Sequence, residues 1–448
     1  MNAAQTCLQT VKRQALTRRT GQVRQLQGLA IESAGPESAI GELCRVALVG
    51  SDSNPAGSLL TEVVGIKPGR VTLMPYGPLQ GVAAGCEVQA VPDAADIAVG
   101  PELLGRVIDA FGQALDGGGP VIAAQRRSLK PQSQNPMHRP PIRDVLQTGV
   151  RSIDALLTMG KGQRMGIFAG SGVGKSTLLG MISRHVSADI NVIALIGERG
   201  REVREFIEKQ LGPRGLRRSV VVVATSDQPA LTRLRATHAA FAIAEHFREQ
   251  GQDVLLTMDS ITRFAMARRE VGLSAGEPPT ARGYTPSVFA ELPQLCERCG
   301  THANGGSITA LLTVLVEGDD FNEPVADSLR SILDGHIVLS RQLAQQGQFP
   351  AVDCLKSVSR LIGDLASPGE RELASRVIQA IALLDRNQQM VEMGAYEPGS
   401  NPALDEALKV QPALLAWLAQ SEGGVSRADS LAQLVRLVGI QPRKEGKA

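Results

Sequence analysis

Thirteen residues, Met165 to Thr177 (MGIFAGSGVGKST), join an apolar run to a glycine-rich turn that ends in lysine and serine. Read in order, Ala169, Gly170, Ser171, Gly172, Val173, Gly174, Lys175, Ser176 and Thr177 follow the phosphate-loop pattern, with alanine at its first position. Glycines let successive main-chain N–H groups close on phosphate oxygens with no Cβ in the way. Lys175 adds a mobile positive charge for the β- and γ-phosphates, and the Ser176 hydroxyl is a ligand for Mg²⁺. The apolar periodicity of Leu178, Leu179, Met181 and Ile182 predicts a helix from Thr177 to about Val186. Its positive end points at the same phosphates.

Nucleotide hydrolysis needs further groups. An acidic residue is expected at the carboxyl end of a neighbouring apolar strand, and DVLLTMD places Asp259 there as a Mg²⁺ ligand, direct or through water. Asp259 and Ser260 also suit a plain helix cap. Glu198, in IGERGRE, stands just past another apolar run and has the chemistry to orient and polarise an attacking water. Arg199, Arg201 and Arg204 crowd the same stretch, so a salt-bridged surface turn is an equal reading. The negative charge that develops in phosphoryl transfer calls for a guanidinium. Arg263, Arg268, Arg341 and Arg360 are all available, and spacing alone does not choose among them.

These groups need a scaffold. From Leu146 to about Gly363 apolar strands at 165–169, 191–196, 219–225, 253–259, 307–316 and 336–340 alternate with helical stretches. Near-continuous apolar strands predict a mostly parallel sheet covered on both faces. Before it, residues 21–95 carry short β-like runs (LAIES, CRVALVG, LLTEVVGI, RVTLMP, CEVQAV) punctuated by glycine and proline, the pattern of a small barrel or sandwich. Residues 96–145 read as a glycine- and proline-rich linker with one ordered stretch, LLGRVIDAFGQALDG. The core spans 146–366. From 367 to 448 the pattern is helical, with helices at 370–393, 402–420 and 427–438 and a disordered PRKEGKA tail. Residues 2–19 fit a helix with Leu8, Val11 and Ala15 on one face, either a solvated terminus or a docking element.

At 448 residues the chain has room for two or three domains. A net charge of +2 gives no global pull towards nucleic acid or membrane. The first residues lack an apolar signal core and no apolar run reaches 18 residues, so the expected setting is cytoplasmic. Cys296 and Cys299 are spaced as half a zinc site, yet only His302 stands near, so two reduced thiols are expected.

The ordered runs GIFAGSGVGKSTLLG, LIGERGREVREF, MDSITRFAMARRE, GEPPTARGYTPSVFAELP, SILDGHIVLSR and FPAVDCLKSVSR resemble the type III protein-export ATPases, the flagellar branch more than the virulence branch, a family related to the catalytic subunits of rotary ATP synthases. Gly318-Asp319-Asp320, Met258-Asp259-Ser260 and Gly394-Ala395-Tyr396 look flagellar; a virulence type III secretion ATPase is the nearer alternative. The resemblance implies an α/β fold: a RecA-like phosphate-loop core with a small N-terminal β-barrel and a C-terminal helical domain. It implies ATP and Mg²⁺ as ligands, Glu198 as the group that activates water, and Arg360 as an arginine finger reaching the neighbouring subunit's nucleotide. Arg199 matches a further arginine facing the γ-phosphate. Phe349 matches a ring stacked on adenine, worth ~1–3 kcal/mol, its plain alternative being a core residue. The implied assembly is a homo-oligomer, a hexameric ring peripherally associated with the inner membrane. Implied partners are a flagellar export regulator, stalk-like proteins, an export gate and chaperone–substrate complexes. A ring-shaped RNA translocase shares this layout but needs stacking rings in its barrel, and the first 150 residues hold only Tyr76 and Phe111 as aromatics.

Overall fold

The computed structural model describes residues 18–50, 57–91, 95–130, 134–316, 318 and 320–438. The helix expected at 2–19 and the PRKEGKA tail lie outside the described residues, save Arg18 and Arg19. Six antiparallel strands, β1 (Thr20–Gln27), β2 (Ala30–Ala34), β3 (Leu43–Ala47), β4 (Ser58–Lys67), β5 (Arg70–Pro75) and β6 (Glu87–Val91), close into a barrel in the order β1-β2-β5-β4-β3-β6. Alternation drives the closure: Leu59 and Val63 of β4, Val71 and Leu73 of β5 and Val88 and Ala90 of β6 point inward and are buried together. β1 lies ahead of the apolar runs in the sequence. Of its eight residues only Val23 is buried, so it carries almost no hydrophobic signal and is defined by its pairing with β2 and β6.

The core is a nine-stranded sheet. Its path runs Val358–Ser359, Gly335–Leu339, Arg164–Ala169, Ser307–Leu315, Asp253–Asp259, Ile190–Ile196, Ser219–Ala224 and Val107–Ile108, with Gly300–Thr301 paired beside Ser307–Leu315. All pairs along the path are parallel except that of Val358–Ser359. The six expected strands lie within a residue of these bounds because both faces are buried. Val192, Ala194 and Ile196 face the helices Ala230–Glu249 and Ile261–Ser274. Ile193 and Leu195 face the helix Lys175–His185 and, beyond it, the C-terminal helices.

Residues 96–145 are not a loose connector. Asp96–Val99 pairs with Gln125–Ser128, Val107–Ile108 adds the edge strand beside Ser219–Ala224, and Ile97, Val99, Leu103 and Ile108 are buried in the core. Strands of two to four residues are too short for periodicity to register among the surrounding glycines and prolines. The helices Pro368–Glu392, Pro402–Leu418 and Arg427–Val438 close the chain. The first starts in a capping box between Ser367 and Glu370, and Arg427 joins it to the last through an ion pair with Glu370 at 2.7 Å. Among the described residues no helix is long and apolar enough to cross a membrane.

Candidate active site

The site forms where the parallel strands end, as α/β sheets require. Ala169 closes its strand, the loop turns with Gly172 at φ 79° and Gly174 at φ 87°, and the helix Lys175–His185 begins at once. Glycine takes those angles at little cost, whereas a residue with a Cβ is strained there. No side chain caps this helix start, so its first N–H groups are open to a ligand. Val173 is buried and anchors the loop, whereas Ser171, Gly172, Ser176 and Thr177 are exposed. The opposite end of the helix is tied down by Arg218, which donates to the carbonyls of Ser183, Val186 and Ala188 at 2.9, 2.9 and 3.1 Å.

Lys175 reaches back beneath the loop. Its Nζ donates to Asp259 Oδ1 at 2.5 Å and stands 3.4 Å from Glu198 Oε1. Burial works against the ammonium, but the charges of Asp259 and Glu198 outweigh it and raise its pKa. Burial pushes Asp259 and Glu198 upward, and the shared lysine pulls both back. Asp259 is also fixed by Thr313, whose hydroxyl donates to it at 2.7 Å from the adjacent strand. The capping reading of Asp259-Ser260 divides between the two residues: Ser260 Oγ accepts from Arg263 N and caps the helix Ile261–Ser274, which leaves the Asp259 carboxylate for the site.

Glu198 follows Gly197, whose φ is 73° and where a Cβ would come within 2.8 Å of Arg263 Cβ. The two readings of this stretch separate by residue. Glu198 turns inward to Lys175, while Arg199 is 82% exposed beside Glu202 at 3.6 Å and Arg204 pairs with Glu208 at 2.7 Å. The phosphate loop, Lys175, Glu198 and Asp259 therefore come together; Arg199 does not join them in this chain.

Among the other arginines, Arg263 packs against Gly197 beside Glu198, and Arg268 is engaged by Glu291 at 2.8 Å. Arg360 lies at the far end of the sheet. Ala169 is level with Leu339, but Gly335 is level with Met165 on one side and with Ser359 on the other. Arg360, next after Ser359, is thus at the amino ends of the parallel strands, exposed, and about 17 Å from the phosphate-loop end at ~3.3 Å per residue. Phe349 is close to the loop: an ideal Cβ on Gly174 would lie 3.2 Å from its Cδ1. The ring is 43% exposed, so it is no core residue. Gln420 holds it from the C-terminal region, donating its N–H to Phe349 O at 2.7 Å and its Nε2 to Gly149 O at 2.9 Å.

The sequence reading did not pick out Thr313, Arg218 or Gln420, and none sits in a recognisable motif. Cys296 and Cys299 are buried, and burial pushes the Cys299 thiol up to about 12. Among the described residues no group of three or more His, Cys, Asp or Glu is placed to hold a metal. Tyr76 packs edge-on against Phe111 at 5.3 Å, so the two aromatics before residue 150 are engaged with each other.

Residues 149–359 match the ATP synthase alpha/beta family, nucleotide-binding domain, and residues 366–436 match the T3SS EscN ATPase C-terminal domain. The chain is 52% identical over 423 residues to the flagellum-specific ATP synthase of Bacillus subtilis (strain 168), covering 94% of this chain and 96% of that one. The assembled ATPase EscN from the type III secretion system of enteropathogenic E. coli superposes with a TM-score of 0.87 at 42% identity, over 93% of this chain and 100% of that one. EscN in complex with its central stalk EscO gives 0.84 at 41% identity, with the same coverage. The chain therefore belongs to the family of flagellar and type III secretion export ATPases, enzymes that hydrolyse ATP on an ATP synthase alpha/beta nucleotide-binding domain.

Proposed function

We propose that this chain is the ATPase of a flagellar protein-export apparatus and works as a homohexameric ring with ATP bound at each seam. The observation that carries the proposal is the split between the two ends of the core sheet. Lys175, Glu198 and Asp259 gather at one end, while Arg360 is exposed at the other, too far to serve its own chain. A finger so placed serves a neighbour.

In the proposed cycle, N–H groups from Ala169 to Thr177 cradle the phosphates, Lys175 leaves its carboxylate partners for the β- and γ-phosphates, and Phe349 covers the adenine. The residues fit Mg²⁺: a hydroxyl at Ser176 and a buried carboxylate at Asp259 are hard oxygen ligands, and one or two protein ligands with phosphates and water suit this ion. When bound, the ion neutralises phosphate charge. Glu198 orients the water and takes its proton as the water oxygen bonds to the γ-phosphorus and the bond to the β-phosphate oxygen breaks. Arg360 of the next subunit, with Arg199, meets the charge that develops, a contribution on the order of 10³–10⁵ in rate.

The division into a barrel (21–95), a connecting segment (96–145), an ATPase core (146–366) and a helical domain (367–448) belongs to this proposal. So do cytoplasmic location, peripheral association with the inner membrane, and partners in a regulator, a stalk-like protein, the export gate and chaperone–substrate complexes. The stalk finds support in the EscN–EscO complex. Identity of 52% to the flagellar relative of Bacillus subtilis against 45% to the type 3 secretion system ATPase of Xanthomonas euvesicatoria leans towards the flagellar reading. Neighbouring genes for rod and hook parts, rather than needle and effector proteins, test that choice.

The trans arrangement is tested by mixing. Arg360→Ala is expected to bind ATP with little change and lose most turnover, and Glu198→Gln is expected to be inactive alone. Mixed rings regain activity wherever an intact Glu198 site meets an intact Arg360. No recovery in rings that demonstrably contain both chains refutes the seam.

A further inference from the structure

Asp334 lies in the turn between the helix Pro324–Ile332 and the strand Gly335–Leu339, and it touches two things at once. Its carboxylate accepts from Arg164 Nε at 3.0 Å, Arg164 Nη2 at 3.0 Å and the Arg164 main-chain N–H at 2.9 Å. Its own N–H donates to Arg164 O at 2.9 Å. Its carbonyl accepts the N–H of Arg360 at 3.0 Å, while Arg360 Nη2 donates to Arg330 O at 3.0 Å. Arg164 opens the strand that ends at Ala169 and the phosphate loop. Burial opposes the Arg164 guanidinium, but hydrogen bonding to Asp334 prevails and raises its pKa. A bidentate, part-buried pair of this kind fixes orientation as well as distance. Arg164 also meets Glu297, an exposed carboxylate at 2.5 Å that holds no part of the Arg360 segment.

We infer that Asp334, clasped by Arg164, is a positioning residue for the guanidinium each subunit lends to its neighbour, and that it ties that guanidinium to the strand carrying the lender's own phosphate loop. The inference rests on the reading of Arg360 as a trans finger. A shift of the strand Arg164–Ala169 as nucleotide enters or leaves is passed to Arg360 through Asp334, by its ion pair and main-chain bond with Arg164 and its carbonyl's bond to the Arg360 N–H, so the occupancy of one site bears on chemistry at the next. Removing the Asp334 charge leaves the lender's own nucleotide site intact and misaligns only what it offers across the seam.

The test compares Asp334→Asn, Arg360→Ala and the unaltered chain for ATP affinity, turnover at saturating ATP, cooperativity in ATP and recovery on mixing with Glu198→Gln. Asp334→Asn is expected to keep ATP affinity within about twofold, lose tenfold or more in turnover, and approach a Hill coefficient of 1. Mixing restores turnover several-fold, because the Asp334→Asn chain still has a sound site and the Glu198→Gln chain a sound finger. Turnover of Asp334→Asn within twofold of the unaltered chain, with Arg360→Ala inactive, overturns the inference alone. So does loss without recovery in mixtures where Arg360→Ala does recover, since Asp334 then acts on its own chain's site or fold. Full turnover by Arg360→Ala overturns the finger, and the inference with it. Should Asp334→Asn fail to fold, Arg164→Lys keeps the charge but not the fork and carries the same expectations and the same refutations.

Discussion

Lys175 is the hinge of the site because it balances two carboxylates that burial would otherwise protonate. Lys175→Ala is expected to abolish phosphate release. It also leaves Asp259 and Glu198 facing each other without a cation. Their folded pKa values, already raised, then rise further, and a carboxyl raised on folding adds stability that is lost as pH climbs through its folded pKa. The stability of Lys175→Ala should therefore fall increasingly below that of the unaltered chain as pH rises above the ordinary carboxylate range, by on the order of 3 kcal/mol once both carboxylates ionise. A deficit that stays constant as pH rises contradicts the shared charge. Glu198 must be ionised to take a proton, and burial raises it, so the acid limb of turnover is expected above the ordinary carboxylate range. A limb near pH 4 contradicts this. Lys175 and Asp259 were legible because strand–loop–helix and strand-end positions are local patterns. Thr313 was not, since its bond to Asp259 joins residues 54 apart on neighbouring strands.

At the scale of elements, the helix that carries Lys175 is braced on its outer side by a π-helical turn, Phe206–Leu211, just downstream of Glu198. Such turns recur at functional sites. The two meet at Gly180, where a Cβ would lie 2.6 Å from Gln210 Cβ and 2.9 Å from Gln210 O. Gly180→Ala favours an isolated helix by about 1 kcal/mol. Here it is expected to lower the melting temperature and weaken ATP binding, because backbone rather than a flexible side-chain tip blocks the methyl. A rise in melting temperature with unchanged affinity contradicts that packing. Sequence periodicity found the core strands and C-terminal helices because burial on two faces, or on one helical stripe, writes a long signal. It could not find the π-turn, whose i→i+5 bonding has no residue signature, nor β1 with its single buried Val23.

For the whole molecule, the topology puts the phosphate loop at one end of the core sheet and the exposed Arg360 at the other, which in the proposed ring are the receiving and giving ends of a seam. That division was only half legible: spacing left four arginines in contention, and register across the sheet placed this one opposite the loop. The packed Val107–Ile108 segment adds an edge strand to the core and draws the barrel's exit chain into it. The central claim is that hydrolysis requires two copies at a seam. The most direct measurement is turnover per chain against protein concentration, with particle mass recorded in the same samples with and without Mg·ATP. Turnover should rise with concentration in step with ring mass and vanish where only single chains remain. Full turnover by single chains contradicts the claim.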